Sequence, residues 1–100
     1  MSNTGILDLQ AVADACRKFG VRRLDLFGSA VRDPAAANDF DFVVDIAEEE
    51  PGRYAKAYFG LHEALKKITG KPVDFVTPEG MTNPYFRASV ERSKQLIYAA

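Results

Sequence analysis

Residues 28–41 read GSAVRDPAAANDFD: a Gly-Ser pair, nine intervening residues, then two aspartates separated by one phenylalanine. Upstream, VRRLDLF (residues 21–27) has Leu24 and Leu26 flanking Asp25 and runs straight into Gly28, the pattern of a short strand entering a turn. Downstream, DFDFVVDI (39–46) alternates strictly. As a strand it puts Asp39, Asp41, Val43 and Asp45 on one face and Phe40, Phe42, Val44 and Ile46 on the other. The two leading carboxylates then project together, within roughly 7 Å of each other at a rise of about 3.3 Å per residue. A third aspartate, Asp74 in KPVDFV, falls in another short apolar run expected to be a strand over 72–77. There Val73 and Phe75 share one face, Asp74 and Val76 the other. Three carboxylates on strand-like segments are the minimum for two-metal phosphoryl chemistry. Left uncompensated they would repel one another and raise their own pKa values, and divalent cations are the simplest compensation.

The Gly-Ser turn supplies a complementary part. Glycine permits close backbone approach, and a helix starting there directs free N–H groups at an anion. Ser29 is expected to cap a short helical turn through Ala30 to Arg32, and Asp33-Pro34 then opens a loop. Taken singly, each element has a plainer meaning. A Gly-Ser pair is a common turn, and Asp-x-Asp is common on a strand with one solvated face. It is their placement together that points to a triphosphate held through metal.

Around this centre, Leu9, Val12, Ala13, Cys16 and Phe19 recur at spacings of three and four, predicting a helix over 8–19 that ends at Gly20. Glu48 to Gly52 reads as a polar break. A long amphipathic helix follows, with Tyr54, Ala57, Tyr58, Leu61, Ala64, Leu65 and Ile68 on its apolar stripe and Gly70 as terminator. Asn83-Pro84 is a helix start, and QLIYA (95–99) has the composition of a last edge strand. The order α-β-α-β-α-β-α-β predicts an α/β (α+β) domain, a short mixed β-sheet with helices packed against it.

One hundred residues with 47% hydrophobic side chains make one small core, with no room for a separate substrate domain. Thirteen basic and fourteen acidic side chains give a formal charge of −1, so no general field exists to hold nucleic acid. Cys16 is the lone cysteine and cannot form an internal disulfide, which fits a reducing, cytoplasmic setting. No apolar run approaches a membrane span, and the polar first twenty residues do not read as a secretion signal. His62 lies beside the apolar stripe of the long helix with no second His or Cys nearby, so it reads as a boundary histidine. Tyr54 and Tyr58 fit the core, and could also make partner contacts. Arg22 and Arg23 could approach a nucleotide phosphate or balance nearby acids, and the second is the expectation.

The string from Leu26 to Asp41, LFGSAVRDPAAANDFD, resembles the signature of the polymerase-beta-like nucleotidyltransferase superfamily. Chain length and the GSxxR form resemble, more narrowly, the minimal nucleotidyltransferases, small prokaryotic proteins usually paired with a HEPN-domain toxin. The resemblance spans nearly the whole chain and implies one minimal nucleotidyltransferase domain over 1–100. It implies that Asp39 and Asp41 bind the metals holding the nucleotide triphosphate. Asp74 would help bind metal and position or deprotonate the attacking hydroxyl, and Gly28 and Ser29 would form the phosphate-binding turn. Arg32 matches a recurrent arginine, with either a phosphate contact or a surface salt bridge open to it. The nine-residue gap before Asp39 is at the short end of the pattern, and Asn38 stands where Ser often precedes the first aspartate.

What the resemblance implies for function is a Mg2+-dependent, two-metal transfer of AMP from ATP to a hydroxyl. The acceptor would be a tyrosine of a HEPN ribonuclease toxin, with this chain as antitoxin. Two other readings stand beside it. One is a non-catalytic nucleotide-binding antitoxin that occludes its toxin. The other is a small-molecule nucleotidyltransferase, which would need structure to hold its acceptor that a chain this short lacks. An acceptor presented by another surface implies a protein partner or a homo-oligomer.

Overall fold

The computed structural model describes residues 7–100; the first six residues of the expected 1–100 domain lie outside them. Eight elements follow one another: α1 (Leu9–Lys18), β1 (Val21–Phe27), α2 (Ser29–Arg32), β2 (Phe40–Ile46), α3 (Pro51–Thr69), β3 (Val73–Val76), α4 (Pro84–Ser93) and β4 (Gln95–Ala99). The strands form one mixed sheet in the order β3-β2-β1-β4, with β2 and β3 parallel and the other neighbours antiparallel.

The helix ends follow local chemistry. The Asp8 carboxylate accepts from the Ala11 N–H at 3.1 Å, and Arg17 and Lys18 sit in the last turn of α1, where the helix dipole favours cations. The Glu50 carboxylate likewise accepts from the Arg53 N–H at 2.9 Å with Pro51 in the first turn of α3. The residues from Glu48 to Gly52 are therefore not one polar break: the helix starts inside them, because a capping acid followed by proline is a start signal. Asn83 caps α4 through its side-chain oxygen, which accepts from the Tyr85 and Phe86 N–H groups at 2.9 and 3.1 Å.

Strand alternation divides the apolar residues between two faces. Leu24, Leu26, Phe40, Phe42, Val44, Ile46 and Val73 bury one face against Val12 and Cys16 of α1 and Leu61 and Leu65 of α3. The other face carries a smaller cluster, Val43 with Met81 and Val90, against which Phe27 and Val76 pack. Val43 thus shares its face with Asp41 but is covered by α4. On that face too lies Asp25, only 2% exposed, whose carboxylate accepts from Arg23 Nε at 2.9 Å and Nη2 at 3.2 Å. Its partner two residues away on the same strand satisfies the buried charge. Arg22 pairs with Asp45 at 3.5 Å. Both arginines balance acids, as their positions suggested.

Where α1 ends, the Phe19 ring rests on α3 over Gly60, where a Cβ would stand 2.4 Å from the nearest ring carbon. A glycine in a helix interior costs about 1 kcal/mol relative to alanine, so propensity alone favours Gly60→Ala. The ring reverses the sign, since overpacking costs typically about 1–3 kcal/mol. Gly60→Ala is expected to melt below the wild type in a thermal denaturation followed by circular dichroism; a higher melting temperature would show that Phe19 moves aside freely.

Candidate active site

The sheet topology brings three segments to one end. Because β2 and β3 are parallel, their N-terminal ends emerge side by side, and antiparallel β1 delivers its C-terminal end, with Gly28 and Ser29, to the same place. Register does the rest: Phe27 lies opposite Asp41, and Asp41 opposite Asp74, so the three side chains form a row on one face. Asp39 precedes the row by one alternation. It lies in a bend just before β2, not within the strand, because Phe40 is the first residue to pair with β3.

Asp39, Asp41 and Asp74 each offer a carboxylate oxygen, and the three oxygens lie within 4.8 Å of one another. Asp39 and Asp41 are half-buried and Asp74 is exposed. Burial, followed by the charges of Asp39 and Asp74, pushes the Asp41 carboxyl above its ordinary value. Hard divalent cations take carboxylate oxygens as ligands, and three such oxygens gathered this closely are a donor set of that kind.

Gly28 is held against Asp41. Its φ of 82° and ψ of −160° lie in a region that is essentially glycine-only, and a Cβ there would stand 2.9 Å from Asp41 Oδ2. Gly28, not Ser29, is the N-cap of α2, and Ser29 is the first residue of the helix. Ser29 and Arg32 are both exposed and line one concavity of about 290 Å³ with Asp33, Ala36, Ala37 and Asn38. The structure therefore brings Arg32 to the neighbourhood of Ser29. A larger open hollow of about 770 Å³, lined by residues including Lys18, Phe19, Glu48 and Arg53, lies at the opposite end of the sheet, where Gly20 enters β1 and Ala47 leaves β2. It lies away from the Asp39, Asp41 and Asp74 carboxylates, at the other end of the strands.

Two residues that sequence reasoning passed over or read as incidental hold the site's frame. Lys71 Nζ donates to the Ala35 carbonyl at 3.3 Å and also to the Ala37 carbonyl, tying the approach to β3 to the loop before Asp39. Nothing in the sequence marks that reach across 34 residues. His62 Nε2 lies 2.5 Å from the Val73 carbonyl, on the strand that bears Asp74.

The nucleotidyltransferase domain family matches residues 9–97. A protein of Methanocaldococcus jannaschii assigned as a protein adenylyltransferase is 35% identical over 82 residues, 81% of this chain and 79% of its own. A solved minimal nucleotidyltransferase is 32% identical, with a TM-score of 0.67 over 87% of this chain and 86% of that one. A toxin-antitoxin structure with AMP-PNP shares the fold at 18% identity, with a TM-score of 0.68 over 94% of this chain and 75% of that one. The chain belongs to the nucleotidyltransferase domain family, among its minimal members. Its activity is that of a nucleotidyltransferase.

Two outcomes are expected. Gly28→Ala should lose about 1–3 kcal/mol from backbone strain and displace the Asp41 carboxylate, read by chemical denaturation; unchanged stability would mean that the turn relaxes. Asp41 binds its proton more tightly in the folded chain than in the unfolded one. Its contribution to stability is thus present below the unfolded pKa and is lost as pH rises through the raised folded value. In a chelator at neutral pH, Asp41→Asn should melt above the wild type, with the gap closing as pH falls below the ordinary carboxylate range. A gap independent of pH would contradict this.

Proposed function

We propose that this protein transfers AMP from ATP to a tyrosine hydroxyl of a partner HEPN ribonuclease toxin and thereby acts as its antitoxin. The observation that carries the reading is the carboxylate trio, three oxygens within 4.8 Å on the same sheet end as the Gly28-Ser29 turn. In this reading Asp39, Asp41 and Asp74 hold Mg2+, which when bound neutralises the triphosphate and the departing pyrophosphate. Gly28 brings the backbone close to the phosphates, Ser29 adds a hydroxyl donor, and Arg32 provides a cation on the rim of the same concavity.

The acceptor oxygen attacks the α-phosphorus, the bond from that phosphorus to the bridging oxygen of pyrophosphate breaks, and the hydroxyl proton passes to Asp74. Asp74 suits that role because it is the exposed member of the trio, reachable by a side chain from another protein. The assignment of the Methanocaldococcus relative as a protein adenylyltransferase supports a protein acceptor. The toxin-antitoxin neighbour with AMP-PNP supports the pairing with a toxin and a nucleotide.

Transfer of the α-labelled AMP moiety of ATP to the co-expressed partner, in Mg2+, tests the proposal. Asp41→Asn should fold and lose about 10³-fold in rate, the scale of several kcal/mol of metal-assisted charge stabilisation. Transfer by that variant at the wild-type rate would refute the mechanism. If all three aspartates can be replaced and the toxin is still neutralised, the protein works by occlusion.

A further inference from the structure

β3 is four residues long and forms one edge of the sheet, yet it carries one of the three carboxylates. On its inner side it is held by β2, beginning where the Phe40 N–H donates to the Pro72 carbonyl at 3.0 Å. Backbone carbonyls alternate along a strand, so the Val73 carbonyl points the opposite way, to the side where no further strand lies. An edge strand left with such unpaired groups is free to slip, fray or pair elsewhere.

That outward carbonyl has a partner, because α3 places His62 Nε2 2.5 Å from it. The same imidazole meets the Phe75 ring edge-on, at 5.3 Å between centroids and 89° between planes. Phe75 is in turn packed edge-on against Tyr58 at 5.2 Å and Phe42 at 6.3 Å. His62 thus grips β3 immediately before and immediately after Asp74. It does so from the helix-covered face and the outer edge, while the Asp74 side chain leaves on the opposite face beside Asp41. A carbonyl only accepts, so Nε2 carries the proton in this contact, whichever charge state the ring holds.

We infer that His62 is the positioning residue for Asp74, fixing the height and direction of the third carboxylate through the backbone of β3 without touching metal or substrate. The inference rests on the proposed metal-holding role of the trio. Outer groups that orient metal ligands are typically worth about 10–100-fold in metal affinity or activity, and the effect of losing His62 is expected in that range.

Two substitutions separate the hydrogen bond from the packing. His62→Gln keeps an N–H donor at the same four bonds from Cα and discards the ring. His62→Phe keeps an aromatic contact with Phe75 and discards the donor. Mn2+ titration followed by electron paramagnetic resonance reads the site directly, and amide hydrogen exchange at Asp74–Val76 reads the strand. The expected result is near wild-type Mn2+ affinity and exchange protection in His62→Gln, with about tenfold or greater loss of affinity and faster exchange in His62→Phe. Under the labelled-transfer assay His62→Phe should lower kcat with little change in KM for ATP, since Asp39 and Asp41 remain in place. Wild-type affinity and protection in His62→Phe, or equal loss in both variants, would overturn the inference. A wild-type protein that binds no Mn2+ would instead sink the functional reading, and the exchange measurement alone would then decide whether His62 holds β3.

Discussion

Everything at the site end of this molecule depends on the parallel pairing of β2 with β3, which sets Asp41 directly beside Asp74. Like charges opposite one another in a sheet are destabilising, so the pairing must be enforced from elsewhere. The enforcement comes from the reverse side of the same two strands. Phe40, Phe42 and Val73 are buried under α3, and a slip of one residue would turn that whole set toward solvent. The register is held by apolar burial, and the crowded carboxylates are its consequence on the other face. Burial first, and then the charges of Asp39 and Asp74, hold the Asp41 carboxyl above its ordinary value in that arrangement.

The topology explains why so short a chain can assemble such a site. A helix between two parallel strands returns the chain to its starting end, so α3 brings Asp74 back to the level of Asp41. Pairing β1 antiparallel to β2 then adds the Gly28-Ser29 turn without another crossover. The cost is an exposed carboxylate on a four-residue edge strand, and the structure answers with side chains reaching in from outside the sheet. Lys71 fastens the approach to Asp39, and His62 fastens the strand of Asp74.

Much of this was legible from residues alone, for physical reasons that can be named. Alternation in DFDFVVDI gave the correct faces because one side is fully buried and apolar, which leaves a period-two pattern no alternative. Asn83-Pro84 was legible because capping is a local event. Asp39 was drawn into the strand because alternation cannot tell a residue that is extended from one that is paired. The burial of Asp25 was not foreseen, although Arg23 two residues earlier on the same face was the signal that a charge there could be satisfied. Lys71 and the grip of His62 on Val73 stayed hidden because both depend on contacts to backbone carbonyls, and a carbonyl has no residue type to betray it.

The buried thiol of α1 has a practical meaning. Cys16 is fully enclosed among core residues, and that enclosure pushes its pKa up to about 12. Thiolate is the reactive form, so at neutral pH the native sulfur is nearly inert toward alkylating probes. For thiol chemistry the folded chain behaves as though it had no cysteine at all. Fluorophores or spin labels could be installed one at a time at chosen surface positions, with the native residue left in the core it helps to fill.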